Sequence, residues 1–199
     1  MRTLGLTGSI GCGKSHVSSI LQSLGARIID GDRISHALTV PGGPALPAIR
    51  DVFSDAVFDE AGHLNRSMLG SLVFSDAAKR DQLNRIMQPL ILAQIRQELQ
   101  QALTDAVPVV VLDMPLLFEE GLDRLCDSVW CVSLPRPLQL RRIMERDGCT
   151  RETAEARIAA QLAPEEKSRR SDVVIDTSGT MEETARMIPA LYARELALA

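Results

Sequence analysis

Hydrophobic positions along this chain follow two rhythms in alternation. Short apolar runs occupy residues 3–7, 27–30, 109–113, 128–133 and 173–176. They are too short for buried helices and predict strands, and the unbroken run 109–113 predicts one covered on both faces, as in a parallel sheet. Between them the apolar spacing becomes helical. In residues 14–24, Val17, Ile20, Leu21 and Leu24 fall on one face and Gly25 stops the run. Further helices are predicted over 137–146, over the charged stretch 150–162, and after Thr180, which stands at capping-box spacing from Glu183. Strands alternating with helices predict a parallel sheet joined by right-handed crossovers.

Residues 44–104 break this rhythm. They follow the breaker Pro41-Gly42-Gly43-Pro44 and carry helical patterning with little strand signal. Leu92, Ile95, Leu99 and Leu103 share a face, and Pro89 is predicted to end or kink one helix. The expected organisation is a single α/β domain: a core of 1–43, 105–136 and 171–199, an inserted helical lobe over 44–104, and a helical lid over 137–170. No internal repeat or low-complexity segment interrupts it.

Composition narrows the function classes. The chain has 199 residues, 45% hydrophobic and 24% charged, with a formal net charge of −4. A mildly acidic surface does not suit general binding to nucleic acid, which needs a basic face to displace counterions. One Trp, one Tyr and four Phe leave few platforms for base stacking. The cysteines Cys12, Cys126, Cys131 and Cys149 form no CxxC pair and have no His cluster beside them, so reduced thiols are expected rather than a zinc site. The apolar run near Met1 is too short for a signal peptide and no stretch reaches the length of a membrane span, so a cytoplasmic location with no membrane partner is expected. Nothing points to an obligate protein partner.

The chemistry begins at Gly8-Ser9-Ile10-Gly11-Cys12-Gly13-Lys14-Ser15, a full GxxxxGKS phosphate loop between a predicted strand and a predicted helix. Its glycines let backbone N–H groups close around a phosphate, and the helix N-terminus favours negative charge. Lys14 can reach the β- and γ-phosphates of ATP and Ser15 can place its hydroxyl on Mg²⁺. Cys12, inside the loop, is either a reactive thiol or a tolerated small residue. A guanine-reading NKxD is absent from the sequence, and Asp59-Glu60-Ala61-Gly62 lies in the helical lobe without a preceding strand, so that DxxG is a surface turn. The length suits a small-molecule kinase better than a helicase or motor. Asp32, just past the second strand, should lie at the carboxyl edge of the sheet, where it can orient an acceptor hydroxyl and take its proton; capping the next helix is the alternative for Asp30 or Asp32. Asp113 ends the most apolar strand and is either a Mg²⁺ ligand acting through water or a turn residue. The lid holds Arg136, Arg141, Arg142, Arg146, Arg151, Arg157, Lys167, Arg169 and Arg170 among interleaved acids, a pattern that mostly describes a solvated, salt-bridged surface. Arg142 and Arg146, four apart, can close over a transferring phosphoryl group.

Together with the phosphate loop, Ile29-Asp30-Gly31-Asp32, Leu64-Asn65-Arg66, Leu83-Asn84-Arg85-Ile86, Leu112-Asp113-Met114-Pro115-Leu116-Leu117-Phe118-Glu119, Gln139-Leu140-Arg141-Arg142, Arg157-Ile158 with Gln161, and Val174-Ile175-Asp176 with Ser178-Gly179 resemble, in order and spacing, the blocks of the dephospho-CoA kinase family. The resemblance covers nearly the whole chain. It implies a P-loop NTPase-type sheet with a CoA-binding lobe and lid, ATP and Mg²⁺, and phosphorylation of the ribose 3′-hydroxyl of dephospho-coenzyme A. It implies Lys14, Asp32 and Arg142 as catalytic residues, with Gly8, Ile10, Gly11, Cys12, Gly13, Lys14, Ser15, Arg146, Ser178 and Gly179 around ATP. It further implies Thr7, Asp32, Arg66 and Gln88 at the acceptor, and Ser15 and Asp113 at the metal. Four positions depart from the family's habit: Gln88 stands where His is common, Cys12 where Ser or Ala is usual, Gly31 where Ala is frequent, and His16 where Thr is frequent. The alternatives are another small-molecule or nucleoside monophosphate kinase, a nucleotide-binding module without catalysis, and, more remotely, a redox sensor acting through Cys12.

Overall fold

The computed structural model describes residues 1–199, apart from the side chains of Phe74 and Ser75. In chain order the elements are β1 (Arg2–Gly8), α1 (Lys14–Ser23), β2 (Arg27–Asp30), α2 (Gly31–Ala37), α3 (Leu46–Phe53), α4 (Arg66–Ser75), α5 (Ala77–Thr104), β3 (Val109–Asp113), β4 (Ser128–Ser133), α6 (Arg136–Asp147), α7 (Arg151–Ala159), α8 (Pro164–Arg169), β5 (Val173–Asp176) and α9 (Met181–Ala197). They divide into two compact units, one of Met1–Asp30 with Gln101–Ala199 and one of Gly31–Gln100. No helix among the described residues is long and apolar enough to cross a membrane.

The first unit is built on a five-stranded sheet in the order β2-β3-β1-β4-β5, every pair parallel. Alternation along the strands sends Leu4 and Leu6, Val109 and Val111, and Trp130 and Val132 to one face. There they pack with Val17 and Leu21 of α1 and Ile188 and Tyr192 of α9. Each fully buried Leu or Ile on this face contributes about 1.5–3 kcal/mol. The other face carries Gly5, against which Leu117 and Cys126 close tightly enough that no Cβ would fit without a shift. The predicted capping box opens α9: the Glu183 N–H donates to Thr180 Oγ1 at 3.1 Å and the Thr180 N–H to Glu183 Oε2 at 2.8 Å.

The second unit is helical, with Ile34, Ile49, Phe53, Val57, Met87, Ile91 and Ile95 buried. The DxxG segment is a turn, with the Gly62 N–H on the Asp59 carbonyl at 2.9 Å and the His63 N–H on Asp59 Oδ1 at 2.7 Å. Of the two expectations for Pro89, ending a helix is corrected: it lies inside α5. Proline removes a helical N–H and crowds the preceding turn. Burial of Met87, Ile91 and Ile95 on both sides of it outweighs that local penalty. The charged stretch 150–162 forms the expected helix, α7, and a further short helix, α8, follows it. Lys167 of α8 departs from the expected solvated surface: it is fully buried.

Candidate functional site

Between β1 and α1 the chain turns through the phosphate loop. The helix begins at Gly13, whose φ of 85° is left-handed, with no side-chain cap and no acidic residue in the first turn. Its first N–H groups therefore present an uncapped positive end, suited to an anion. Lys14 sits there and ion-pairs with Asp113, side chains 15% and 7% exposed. Asp113 ends β3 and lies in register with Leu6 on one side and Asp30 on the other, so two carboxylates share the carboxyl edge of the sheet. Ser15 is exposed. Thr7 is buried, and its hydroxyl donates to the Pro115 carbonyl at 3.2 Å.

The opposite wall is Arg142 and the loop after β5. Arg142 Nη2 donates to the Thr177 carbonyl at 2.8 Å, and its Nη1 lies 3.8 Å from where a Cβ on Gly13 would stand. The Thr177 hydroxyl donates to the Cys12 carbonyl at 2.7 Å, tying this loop to the phosphate loop. Between them lies a cavity of about 250 Å³ lined by Gly13, His16, Arg142, Thr177, Gly179 and Met181. That volume is below the usual range for whole drug-sized ligands and gives room for a planar base. Gly179 is exposed, as is its neighbour Ser178, whose N–H is bound to Asp176 Oδ1 at 2.8 Å.

The loop tip meets the lid instead. The Ile10 N–H donates to Gln161 Oε1 at 2.9 Å, and Gln139 Nε2 donates to the Ile10 carbonyl at 2.8 Å. Gly11, at φ 78°, presses against Ile143. The lid is held to the core by Lys167, which pairs with Glu119 at 2.9 Å and also donates to the Pro115 carbonyl. Glu119 accepts the Leu162 N–H as well, at 2.8 Å. Gln139, Gln161, Lys167, Glu119 and Thr177 were not among the residues singled out from the sequence for a role in the site.

Other candidates are placed differently. Arg146 lies exposed and binds both carboxylate oxygens of Asp147, at 2.7 and 3.0 Å, while Arg157 binds Asp147 too. The Arg146 hydrogen bonds hold the Asp147 carboxyl below the usual carboxylate range. Asp32, Arg66 and Gln88 belong to the second unit. Asp32 is in the first turn of α2, whose other end Arg66 caps through the carbonyls of Ser35 and His36 and the Thr39 hydroxyl. Gln88 is exposed on α5. The reactive-thiol alternative for Cys12 is corrected: the side chain is 2% exposed, and burial pushes the thiol from the ordinary 9.0 up to about 11.

Whether these residues suit a nucleotide and its metal can be judged from the donor set. The uncapped helix end, Lys14, Arg142 and the buried Ser9 hydroxyl, which has no hydrogen-bond partner among the described residues, all suit phosphate oxygens. Among the described residues no three His, Cys, Asp or Glu side chains converge. A hard cation such as Mg²⁺ needs no such cage, since it is bound through one or two carboxylates, substrate phosphates and water. Asp113 and Ser15 fit that mode.

Comparison with known proteins bears on the acceptor, which the geometry alone leaves unnamed. Residues 2–183 match the family described as dephospho-CoA kinase. A dephospho-CoA kinase of Carboxydothermus hydrogenoformans is 44% identical over 185 residues, covering 93% of this chain and 90% of that protein. A crystal structure from Thermus thermophilus superposes with a TM-score of 0.83 at 32% identity, covering 97% of both chains. The dephospho-CoA kinase of Campylobacter jejuni gives 0.72 at 28% identity over 96% of each.

Proposed function

The chain belongs to the dephospho-CoA kinase family, and on that premise we propose that it transfers the γ-phosphoryl group of ATP to the ribose 3′-hydroxyl of dephospho-coenzyme A, giving coenzyme A and ADP. The observation that carries the donor half of this reading is the uncapped N-terminus of α1 with Lys14 and Arg142 beside it. Relatives supply the acceptor half through their names.

In this reading Lys14 exchanges Asp113 for phosphate oxygens when ATP arrives, which frees the carboxylate. Backbone N–H groups of Gly11, Gly13, Lys14 and Ser15 cradle the phosphates, and the cavity beside Gly179 and Met181 takes the base. Arg142, steadied by the Thr177 carbonyl, neutralises charge on the transferring group. Ser15 and Asp113 would hold Mg²⁺, which when bound would further neutralise phosphate charge. Asp32 orients the acceptor hydroxyl and takes its proton. Arg66 and Gln88 are proposed at the acceptor, Arg66 also ordering α2 and Thr7 acting by fixing Pro115. Arg146 reaches the phosphates only after leaving Asp147.

The test is a product assay. Purified protein is incubated with ATP, Mg²⁺ and dephospho-CoA, with AMP and shikimate as parallel acceptors. Coenzyme A appearing in step with ADP, and only with dephospho-CoA, is expected. ADP with a different acceptor would move the substrate assignment, and ATP binding without product from any acceptor would leave only a binding module.

A further inference from the structure

The phosphate loop is gripped at its tip by two glutamines that come from two different parts of the lid. Gln139 lies on α6 and is 1% exposed. Gln161 follows α7, next to Leu162, whose N–H is bound by Glu119. Both amide orientations are forced by the partner: a backbone N–H only donates and so meets an amide oxygen, while a carbonyl only accepts and so meets an amide NH₂.

Each glutamine fixes a different peptide plane. A peptide unit is planar and trans, so its C=O and N–H point in opposite directions. Gln161 holds the N–H of the Ser9–Ile10 unit, which aims the Ser9 carbonyl the other way, where it accepts the Cys12 N–H at 3.1 Å. Gln139 holds the carbonyl of the Ile10–Gly11 unit, which aims the Gly11 N–H away from α6. If that second plane flipped, a carbonyl oxygen would replace an N–H among the groups that face the phosphates. The side chains make the same connection: Ile10 packs on the lid's own apolar cluster of Leu140, Ile143, Ala154 and Ile158.

We propose that Gln139 and Gln161 are positioning residues that set the phosphate-binding shape of the loop, so that nucleotide affinity depends on the docked lid. This rests on the kinase reading only in taking the loop to bind ATP; it does not depend on the acceptor.

The test uses the whole chain and MgATP, with the dissociation constant measured calorimetrically below the melting temperature of each variant. Gln139→Leu and Gln161→Leu are each expected to weaken MgATP binding about tenfold, as loss of a part-buried hydrogen bond implies. Gln139→Glu and Gln161→Glu carry the same added charge, so their difference reads donor against acceptor. Gln161→Glu keeps the accepting oxygen and should bind several-fold better than Gln139→Glu, which sets a carboxylate against the Ile10 carbonyl. Equal behaviour of the two Glu variants overturns the proposal, as do Leu variants that bind within twofold of the parent. If a Leu variant fails to fold, the Glu pair decides alone. A parent protein that binds MgATP but makes no coenzyme A would sink the acceptor assignment and leave this proposal standing.

Discussion

The two ends of the phosphate loop are built for opposite purposes. At the tip, Ile10 is hydrogen-bonded on both sides and Gly11 is wedged against Ile143. At the helix end, Gly13 and Ser15 are exposed and Lys14 holds only an ion pair it can trade for phosphate. One half is scaffold and the other is working surface. Glycine serves both, by close packing at Gly11 and by a left-handed helix start at Gly13.

Substitutions should separate the halves. Within the loop the largest expected effect is at the working end: Lys14→Ala lowers kcat by about 10²–10³-fold, the size of loss seen when a charge-stabilising donor is removed. Circular dichroism should report a folded chain; an unfolded one would make Lys14 part of the scaffold. Next is Lys167→Met, which leaves Glu119 without its buried partner. It should lower unfolding stability by about 3 kcal/mol in denaturant titration, with kcat changing far less than in Lys14→Ala. Gly11→Ala forces a side chain into left-handed backbone against Ile143 and should cost about 1–3 kcal/mol. A neutral result there would mean the tip is looser than its contacts indicate.

The last effect is invisible at neutral pH. Burial raises Cys12 to about 11, and Cys126 to about 12 where the carboxylates of Asp123 and Asp127 add to burial. The folded chain therefore keeps protons that the unfolded chain loses. The stability this represents is intact below the ordinary thiol value of 9.0 and is lost as pH rises through about 11–12. The melting temperature should fall over that range, and less so in Cys12→Ala.

Much of the fold was legible because its signals are local. The five apolar runs are the five strands, and the Thr180–Glu183 spacing is a capping box. At Pro89 local backbone chemistry left ending or kinking a helix open, and only the burial pattern of the second unit decides against ending. The phosphate loop was legible as a motif, but what holds it was not. Gln139 and Gln161 meet Ile10 across 129 and 151 residues of sequence, and no spacing rule links them. Lys167 looked like one more charge in an acidic and basic stretch; only the placement of Glu119 and Pro115 shows that it is buried. A charge pattern describes the solvated face of a helix well and says little about the few polar residues turned inward.

Asp32 is the residue on which the proposed transfer to the acceptor hydroxyl depends. Turnover of dephospho-CoA by Asp32→Asn should be measured at saturating ATP, with ATP affinity measured alongside. Loss of a positioned base predicts that kcat falls by about 10²–10⁴-fold while ATP binds as in the parent. A kcat near that of the parent would contradict the proposed reaction at the acceptor hydroxyl.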